Sequence, residues 1–261
     1  MQKELLKKLI KNHRAYKYCD GEFIVDNIPI VAERVYKIFI NGEKLTSVML
    51  LPFYETEFIY GFLFTSSLIN SVDDIVSCRL CDNSNFHIYL RNNKNVITSD
   101  SVLDNRYSKN KYFIRGEKLL PVNSNISVRA LELLQIYQEI NNEYKINNLN
   151  KGIDGCIFYK SNDNFITCVD TDWDNALNKI IGYNIFNNLN YDGIIFTTVK
   201  ITGEIIHKCI KAKLPLVVTT STVSSMAIEL SSKFNITLVG LISDDTFIVF
   251  VDKIKRIING I

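Results

Sequence analysis

Nowhere does the chain hold an apolar run approaching the roughly 20 residues that a bilayer-crossing helix needs. It lacks an excess of either charge as well. With 30 Lys and Arg against 28 Asp and Glu, the formal charge is +2, and no dense basic stripe with interleaved aromatics is present. Nucleic acid is therefore not expected as an obligatory partner, and neither is a membrane. Six cysteines in 261 residues do not make a disulfide framework. Glycine-rich dinucleotide fingerprints, a P-loop and internal repeats are all absent. The opening Met1-Gln-Lys-Glu-Leu-Leu-Lys-Lys-Leu-Ile10 carries charges through its apolar segment, unlike a signal peptide. Together these absences predict a cytoplasmic protein with reduced thiols. What remains is an ordinary globular composition, 47% hydrophobic and 22% charged. The length suits one large domain or two of moderate size.

The clearest pattern lies between Tyr191 and Ile242. Gly193-Ile-Ile-Phe-Thr197, Leu216-Val-Val218 and Ile236-Thr-Leu-Val239 are short apolar runs. Between them, Ile205, Ile206, Cys209, Ile210 and Ala212, then Met226, Ala227 and Leu230, fall near helical spacing. Thr202 stands at an N-cap and Pro215 at the helix end. Strands alternating with helices predict a parallel sheet, and ligands of such sheets bind beyond the carboxyl ends of the strands. Those ends are Thr197-Thr-Val-Lys200, Thr219-Thr-Ser-Thr222 and Ser243-Asp-Asp-Thr246. Their hydroxyls and backbone N–H groups suit an anion at helix starts, or simply cap the helices.

Ahead of this unit, residues up to about Lys17 read as a short amphipathic helix. Asn41-Gly42 is a hairpin signal between Ile28–Ile40 and Leu45–Leu51. Glu55–Leu68 is a helix packed on that hairpin, and Val76–Cys78 and Phe86–Leu90 are further strands. Residues 91–115, rich in Asn, Ser and Lys, read as an exposed, mobile loop. Ser127–Tyr144 reads as a helix with Leu131, Leu134, Tyr137 and Ile140 on one stripe, leaving through Asn147–Asn150. Gly155–Tyr159 and Asn164–Val169 form a hairpin, and Ala176–Phe186 a helix. The predicted boundary falls near residue 120, between a smaller mixed α+β part (1–120) and an α/β domain (121–261).

Three groupings invite chemistry. Cys78-Arg-Leu-Cys81 is the one close cysteine pair, read either as a reactive thiol site or as two small packing residues. No second pair or His pair completes a zinc site, so no metal is expected. Asp170-Thr-Asp-Trp-Asp174 resembles the start of a calcium loop, but Asn175 and Ile181 occupy the positions needing Gly and Glu. It reads as an acidic helix cap. His13, His87 and His207 are scattered in sequence, and each reads as a surface or packing residue rather than a ligand or base.

The order of these pieces resembles the formate dehydrogenase accessory sulfurtransferase (FdhD) family from about Glu33 to Phe250. Ile40-Asn-Gly42, Leu51-Pro52, Glu57-Phe-Ile-Tyr-Gly-Phe-Leu63 and Val72-Asp-Asp-Ile75 are similar to the family's first half. Asp170 through Asn175-Ala-Leu-Asn-Lys-Ile-Ile-Gly182, then Glu204, Lys208, Pro215, Ser221, Ser225, Ala227, Glu229 and Ile236-Thr-Leu-Val-Gly240, are similar to its second. The resemblance implies a cytidine-deaminase-like three-layer α/β domain beside a smaller mixed part. It implies a cytoplasmic homodimer that takes persulfide sulfur from a cysteine desulfurase and passes it to the molybdenum guanine-dinucleotide cofactor of formate dehydrogenase. On the same grounds, Asn175, Thr198, Lys200, Ser221, Leu241, Ile242, Ser243, Asp244, Asp245 and Thr246 mark the cofactor site. That site would meet the cofactor or a guanine nucleotide transiently and hold none permanently.

There are departures. The family's Cys-x-x-Cys loop falls at Arg106–Tyr112, which contains no cysteine, so Cys78 and Cys81 are the remaining sulfur-carrying candidates. Trp173-Asp174 replaces Arg-His, Thr198-Val-Lys200 replaces Ser-Gly-Arg, and Lys151-Gly-Ile-Asp-Gly155 replaces Thr-Gly-Gly-x-His. Leu241–Thr246 replaces a segment carrying arginines. Losing those bidentate donors and gaining Asp244 and Asp245 disfavours a pyrophosphate. The expectation is a family fold whose sulfur transfer is altered or lost, with a non-catalytic scaffold as the competing reading.

Overall fold

Two hairpins open the chain, each turning on a pair of residues in the left-handed region. Asp20 and Gly21 have φ of 51° and 90°, and Asn41 and Gly42 have 51° and 92°, the geometry that suits the twist of antiparallel strands. The computed structural model describes residues 9–91, 119–144, 153–161, 164–189 and 191–259. The first hairpin joins β1 (Ile10–Cys19) to β2 (Glu22–Val31) in a sheet of their own. The helix expected up to Lys17 is therefore replaced by a strand from Ile10 onward. Asp20-Gly21 and the alternating Tyr16, Tyr18, Phe23 and Val25 outweigh the local helical spacing, of which Leu5 and Leu6 lie outside the described residues. Leu9, at the base of this ribbon, packs with Leu51, Phe53 and Val169.

The Asn41-Gly42 turn joins β3 (Arg34–Ile40) to β4 (Glu43–Leu50), as the sequence predicts. With β5 (Ile75–Cys81) and β6 (Asn85–Leu90) they form a sheet ordered β4-β3-β6-β5. Helix α1 (Glu55–Thr65) covers one face of it. Phe58, Ile59 and Leu63 of α1 meet Tyr36, Ile38, Phe86 and Ile88 there.

A third sheet has six strands. In chain order the elements are β7 (Val128–Arg129), α2 (Ala130–Tyr144), β8 (Asp154–Ser161), β9 (Asn164–Asp170), α3 (Trp173–Phe186), β10 (Ile194–Thr197), α4 (Gly203–Lys211), β11 (Leu216–Thr219), α5 (Ser225–Lys233), β12 (Thr237–Gly240), β13 (Ile248–Val251) and β14 (Ile257–Ile258). The order β13-β12-β11-β10-β8-β9 has parallel pairing at β10-β11-β12 and antiparallel strands on both sides. Strand alternation splits the core in two. Cys156, Phe158, Ile195, Val217 and Leu238 face α3, α4 and α5. Ile157, Phe196, Val218 and Val239 face α2. The result is three layers, and burying both sheet faces explains why these strands read as continuous apolar runs.

Two sequence expectations shift in phase. The buried stripe of α2 is Leu133, Ile136, Tyr137 and Ile140, whereas Leu131 is 67% exposed. Helix α4 ends at Lys211, before Pro215. Lys213 at φ 58° donates to Ile210 O, and Leu214 to Cys209 O. This left-handed closure satisfies the last carbonyls before the proline is reached.

The two parts meet where α1 crosses α3. A Cβ on Gly61 would lie 1.8 Å from Asn178 O, and one on Gly182 would lie 1.7 Å from Glu57 O. Only glycine at both positions lets the backbones touch.

Candidate functional site

The carboxyl ends of β10, β11 and β12 are bound to one another by their own backbone. Thr220 N donates to Thr197 O (3.1 Å), Ile201 N to Thr222 O (3.0 Å), Leu241 N to Ser221 O (2.9 Å) and Ile242 N to Thr219 O (3.1 Å). Two strand-end hydroxyls are spent the same way. Thr197 Oγ1 donates to Gly155 O at 3.0 Å, and Thr219 Oγ1 to Val199 O at 2.7 Å. The hydroxyls of Thr198 and Ser221 are half-buried at this rim, and Lys200 is exposed. Ser243 and Thr246 close a short turn, with Ser243 N donating to Thr246 O (2.8 Å). Gln138 of α2 holds the Asp244 carbonyl at 2.7 Å. Both aspartates of this turn are exposed. Ile242 is 3% exposed and belongs to the core against α2, so it lines no surface. Leu241, at φ 54°, turns the chain there and is 44% exposed.

Asn175 is engaged elsewhere. Its side-chain amide donates to Met49 O (2.9 Å) and Asp170 Oδ1 (3.1 Å), beside a feature the sequence reading missed. Asp170 and Lys179 are both fully buried, with Nζ–Oδ2 at 2.5 Å. The ammonium has three donors, and it fills them with Asp170, Leu51 O (3.1 Å) and Val169 O (3.2 Å). The carboxylate also accepts from Leu51 N (3.2 Å) and Thr171 N (2.8 Å). Leu51 belongs to the smaller part and Asp170 to the larger, so this pair ties one to the other. A second chain runs beside it. Lys208 pairs with Asp174 and donates to Asn178 Oδ1 at 3.2 Å, which also accepts from Thr65 Oγ1 at 2.9 Å. The stretch read as one acidic cap therefore divides its work. Asp172 is the N-cap of α3, receiving Asp174 N, while Asp170 and Asp174 each hold a buried lysine. The signal available in sequence was Lys179 itself, a cation inside the apolar run Ala176–Gly182, where an unpaired charge is prohibitively costly.

The six cysteines separate by environment. Cys156, Cys168 and Cys209 are buried. Burial pushes all three thiols up, Cys209 to about 12. Cys78 and Cys81 both lie on β5, three residues apart, so strand alternation turns them to opposite faces. They do not act as a pair. Cys78 pairs across with Ile88 on the α1 side, and burial pushes its thiol up to about 11, keeping it protonated near neutral pH. Cys81 lies on the outer face, half-exposed, with Arg79 two residues back on the same face. Cys19 is exposed at the tip of the first hairpin. The segment Arg106–Tyr112, where the resemblance places the family's cysteine loop, lies outside the described residues, as do Asn147–Asn150. Among the described residues no His, Cys, Asp and Glu cluster of metal-binding kind occurs, and no helix is long and apolar enough to cross a membrane.

A three-layer α/β domain, locked by a buried lysine–aspartate pair to a smaller sheet-and-helix part, defines a class of α/β protein whose strand-end rim faces solvent. Within that class the chain belongs to the FdhD/NarQ family, whose model matches residues 31–258. It is similar to the sulfur carrier protein FdhD of Sulfolobus acidocaldarius, 26% identical over 93% of this chain and 94% of that one. Protein FdhD of Methanocaldococcus jannaschii is 25% identical over 93% and 96%. The sulfur carrier protein FdhD of Bacillus pumilus is 22% identical over 92% and 95%. The fold matches the crystal structure of a protein from Desulfotalea psychrophila described as a formate dehydrogenase accessory protein. That match has a TM-score of 0.76 at 19% identity and covers 96% of this chain and 100% of the other.

Proposed function

We propose that this chain is a sulfur carrier serving formate dehydrogenase maturation, with Cys81 as the carrying thiol. The observation that supports it is family membership across residues 31–258, in a family whose curated relatives carry that name. The departures from the family pattern leave core and junction intact and move the thiol question to this chain's own cysteines. All six lie in the described residues. Three are buried, and Cys78 is held protonated toward α1. Cys81 is reachable, and Arg79 places a cation on the face from which an anionic persulfide would approach.

In the loading step, the Cys81 thiolate attacks the outer sulfur of a cysteine desulfurase persulfide. A new S–S bond forms at Cys81, the donor's S–S bond breaks, and the donor leaves as a thiolate. The two sulfur centres exchange oxidation state and no outside oxidant is consumed. Incubation with a cysteine desulfurase and cysteine, followed by intact-mass measurement, should show a gain of one sulfur. The gain disappears in Cys81→Ala and persists in Cys78→Ala and Cys19→Ala. No gain in the unaltered protein, under conditions that load another family member, sinks the reading. A gain that follows Cys19 instead moves the carrier to the hairpin tip.

The sulfur would be delivered to the molybdenum guanine-dinucleotide cofactor, a substrate rather than a resident group, with its nucleotide end at the strand-end rim. Within the rim segments, Lys200 is one cation against the carboxylates of Asp244 and Asp245. Guanine nucleotide should accordingly bind weakly, and Asp244→Asn with Asp245→Asn should tighten GDP by about tenfold, roughly 1.4 kcal/mol. Isothermal calorimetry measures this. Tight binding by the unaltered chain would show that the aspartates stand clear of the phosphates.

A further inference from the structure

Strand β5 stands at the end of its sheet, in the order β4-β3-β6-β5. An edge strand presents a row of backbone donors and acceptors on its open side, and proteins usually blunt such an edge or cover it. The opposite edge is partly covered, since Asn175 of the larger part donates to Met49 O of β4 at 2.9 Å. From Ser77 to Cys81, β5 has neither proline nor lysine. Its one charge, Arg79, lies on the outer face with Cys81 rather than along the edge. Val76 and Leu80 leave apolar surface there, 60% and 38% exposed.

The register fixes which backbone groups point outward. Ser84 N donates to Cys81 O (3.1 Å), turning Cys81 toward its hairpin partner β6. Asn41 N donates to Ile88 O (2.8 Å), on the side of β6 away from β5. Ile88 lies opposite Cys78, so these two form a pair without mutual hydrogen bonds. Alternation from either end gives the same result. Ser77, Arg79 and Cys81 bond inward, and the N–H and C=O of Cys78 and Leu80 point to the open side. A strand added there would bond to Cys78 and Leu80. It would set one residue opposite Cys81 in the closer, non-hydrogen-bonded kind of pair, about 4.5 Å between Cα atoms. A cysteine persulfide on that residue, or on its diagonal neighbour about 7–8 Å away, has its outer sulfur within reach of the Cys81 thiol.

We infer that β5 is a docking edge, to which an extended segment of the protein that donates the persulfide adds as a further strand beside Cys81. This rests on Cys81 as the carrying thiol and adds how the donor is recognised. The occupant follows from the chemistry of the edge. Main-chain bonds to Cys78 and Leu80 ask only for an extended backbone, as in other strand additions. Arg79 stands two residues from Cys81 on the outer face, and Ser77, Asn85, His87 and Tyr89 around it supply no carboxylate. An anionic persulfide among acidic side chains is complementary to that face, while an apolar side chain on the alternate face covers Leu80.

Hydrogen exchange on the unaltered chain, resolved to single amides, tests this directly. Adding a cysteine desulfurase should slow exchange at Cys78 and Leu80 by about tenfold or more, because amides open to water become bonded. The β4 amides should stay as they were. Loading of the chain with no slowing at Cys78 and Leu80 overturns the docking edge. A second measurement compares sulfur donors. Leu80→Pro removes an outward N–H that the fold does not use, at a place where an edge strand tolerates proline. It should slow sulfur gain from the desulfurase by about tenfold or more, as loss of a main-chain anchor implies. Gain from glutathione persulfide, which needs no strand, should be unchanged. Normal loading of Leu80→Pro by the desulfurase also overturns the docking edge. Failure of the carrier assignment reads differently: slowed exchange at Cys78 and Leu80, with a sulfur gain that survives Cys81→Ala, keeps the edge and removes the thiol.

Discussion

Replacing Lys179 with Met should destabilise the protein by about 3–5 kcal/mol, because the substitution strands a buried carboxylate. Asp170 and Lys179 have no exposed side-chain surface, so neither water nor a surface lysine takes over. The loss reaches past the ion pair, since Leu51 O and Val169 O surrender their donors too. In a chain of this size the melting temperature should fall by roughly 10 °C. Adding Asp170→Leu removes the stranded charge and should recover part of the loss, but not all of it. Leu51 N and Thr171 N would still be left without the carboxylate that receives them. Urea denaturation of the two variants measures both numbers. A loss below about 1 kcal/mol for Lys179→Met would mean that Asp170 finds another partner.

The second large effect is expected at the crossing of α1 and α3. Gly182→Ala places a methyl 1.7 Å from Glu57 O, and Gly61→Ala places one 1.8 Å from Asn178 O. Both obstacles are backbone, so no side-chain rotamer relieves them and the helices must separate. Each variant should cost about 3 kcal/mol or more, at or beyond the upper end of ordinary overpacking. The double variant should cost less than the two together, since one separation accommodates both methyls. Hydrogen exchange locates the damage. Amides of α1 should exchange faster in either variant, while those of β11 and β12 stay protected. If α1 protection is unchanged, the two parts are not held by this contact.

Both effects concern residues that sequence reading reached only as letters in a family pattern. Gly61, Gly182 and Lys179 stand within the matched stretches, but pattern alone does not say what each one touches. By contrast, the hairpin at Asn41-Gly42, the helix from Glu55 and the alternation from Gly193 to Gly240 were legible, because each is governed by neighbours in the chain. Asp20-Gly21 carries the same kind of hairpin signal as Asn41-Gly42, in competition with a local helical spacing. The apolar spacing at Leu5, Leu6, Leu9 and Ile10 fits a helix, whereas the alternation that follows fits a strand. The phase of α2 failed for another reason. Leu131 and Leu133 both fit an apolar face, and only the position of the sheet decides which one is buried.

The strand-end site divides along the same line. That ligands of such a sheet meet the segments after β10, β11 and β12 follows from strand–helix alternation. Which atoms remain available there does not. Thr197 spends its hydroxyl on β8 and Thr219 on the segment after β10, Ile242 turns into the core and Asn175 is taken up by Asp170. Nor could spacing assign the cysteines. Cys78 and Cys81 look like a pair in sequence, yet a strand sends them to opposite faces, one protonated against α1 and the other toward solvent.

By itself, then, the sequence determined the α/β class, the order of strands and helices in the larger part, and the family resemblance. These rest on periodicity, turn residues and short-range sterics, which act within a few residues. The tertiary structure decided the pairing of Asp170 with Lys179 and of Asp174 with Lys208, the glycine contact between α1 and α3, and the exposure of Cys81. Those depend on groups brought together across as many as 128 positions, as between Lys179 and Leu51. In such contacts desolvation and close packing set the energy, and neither is written in the spacing of residues along the chain.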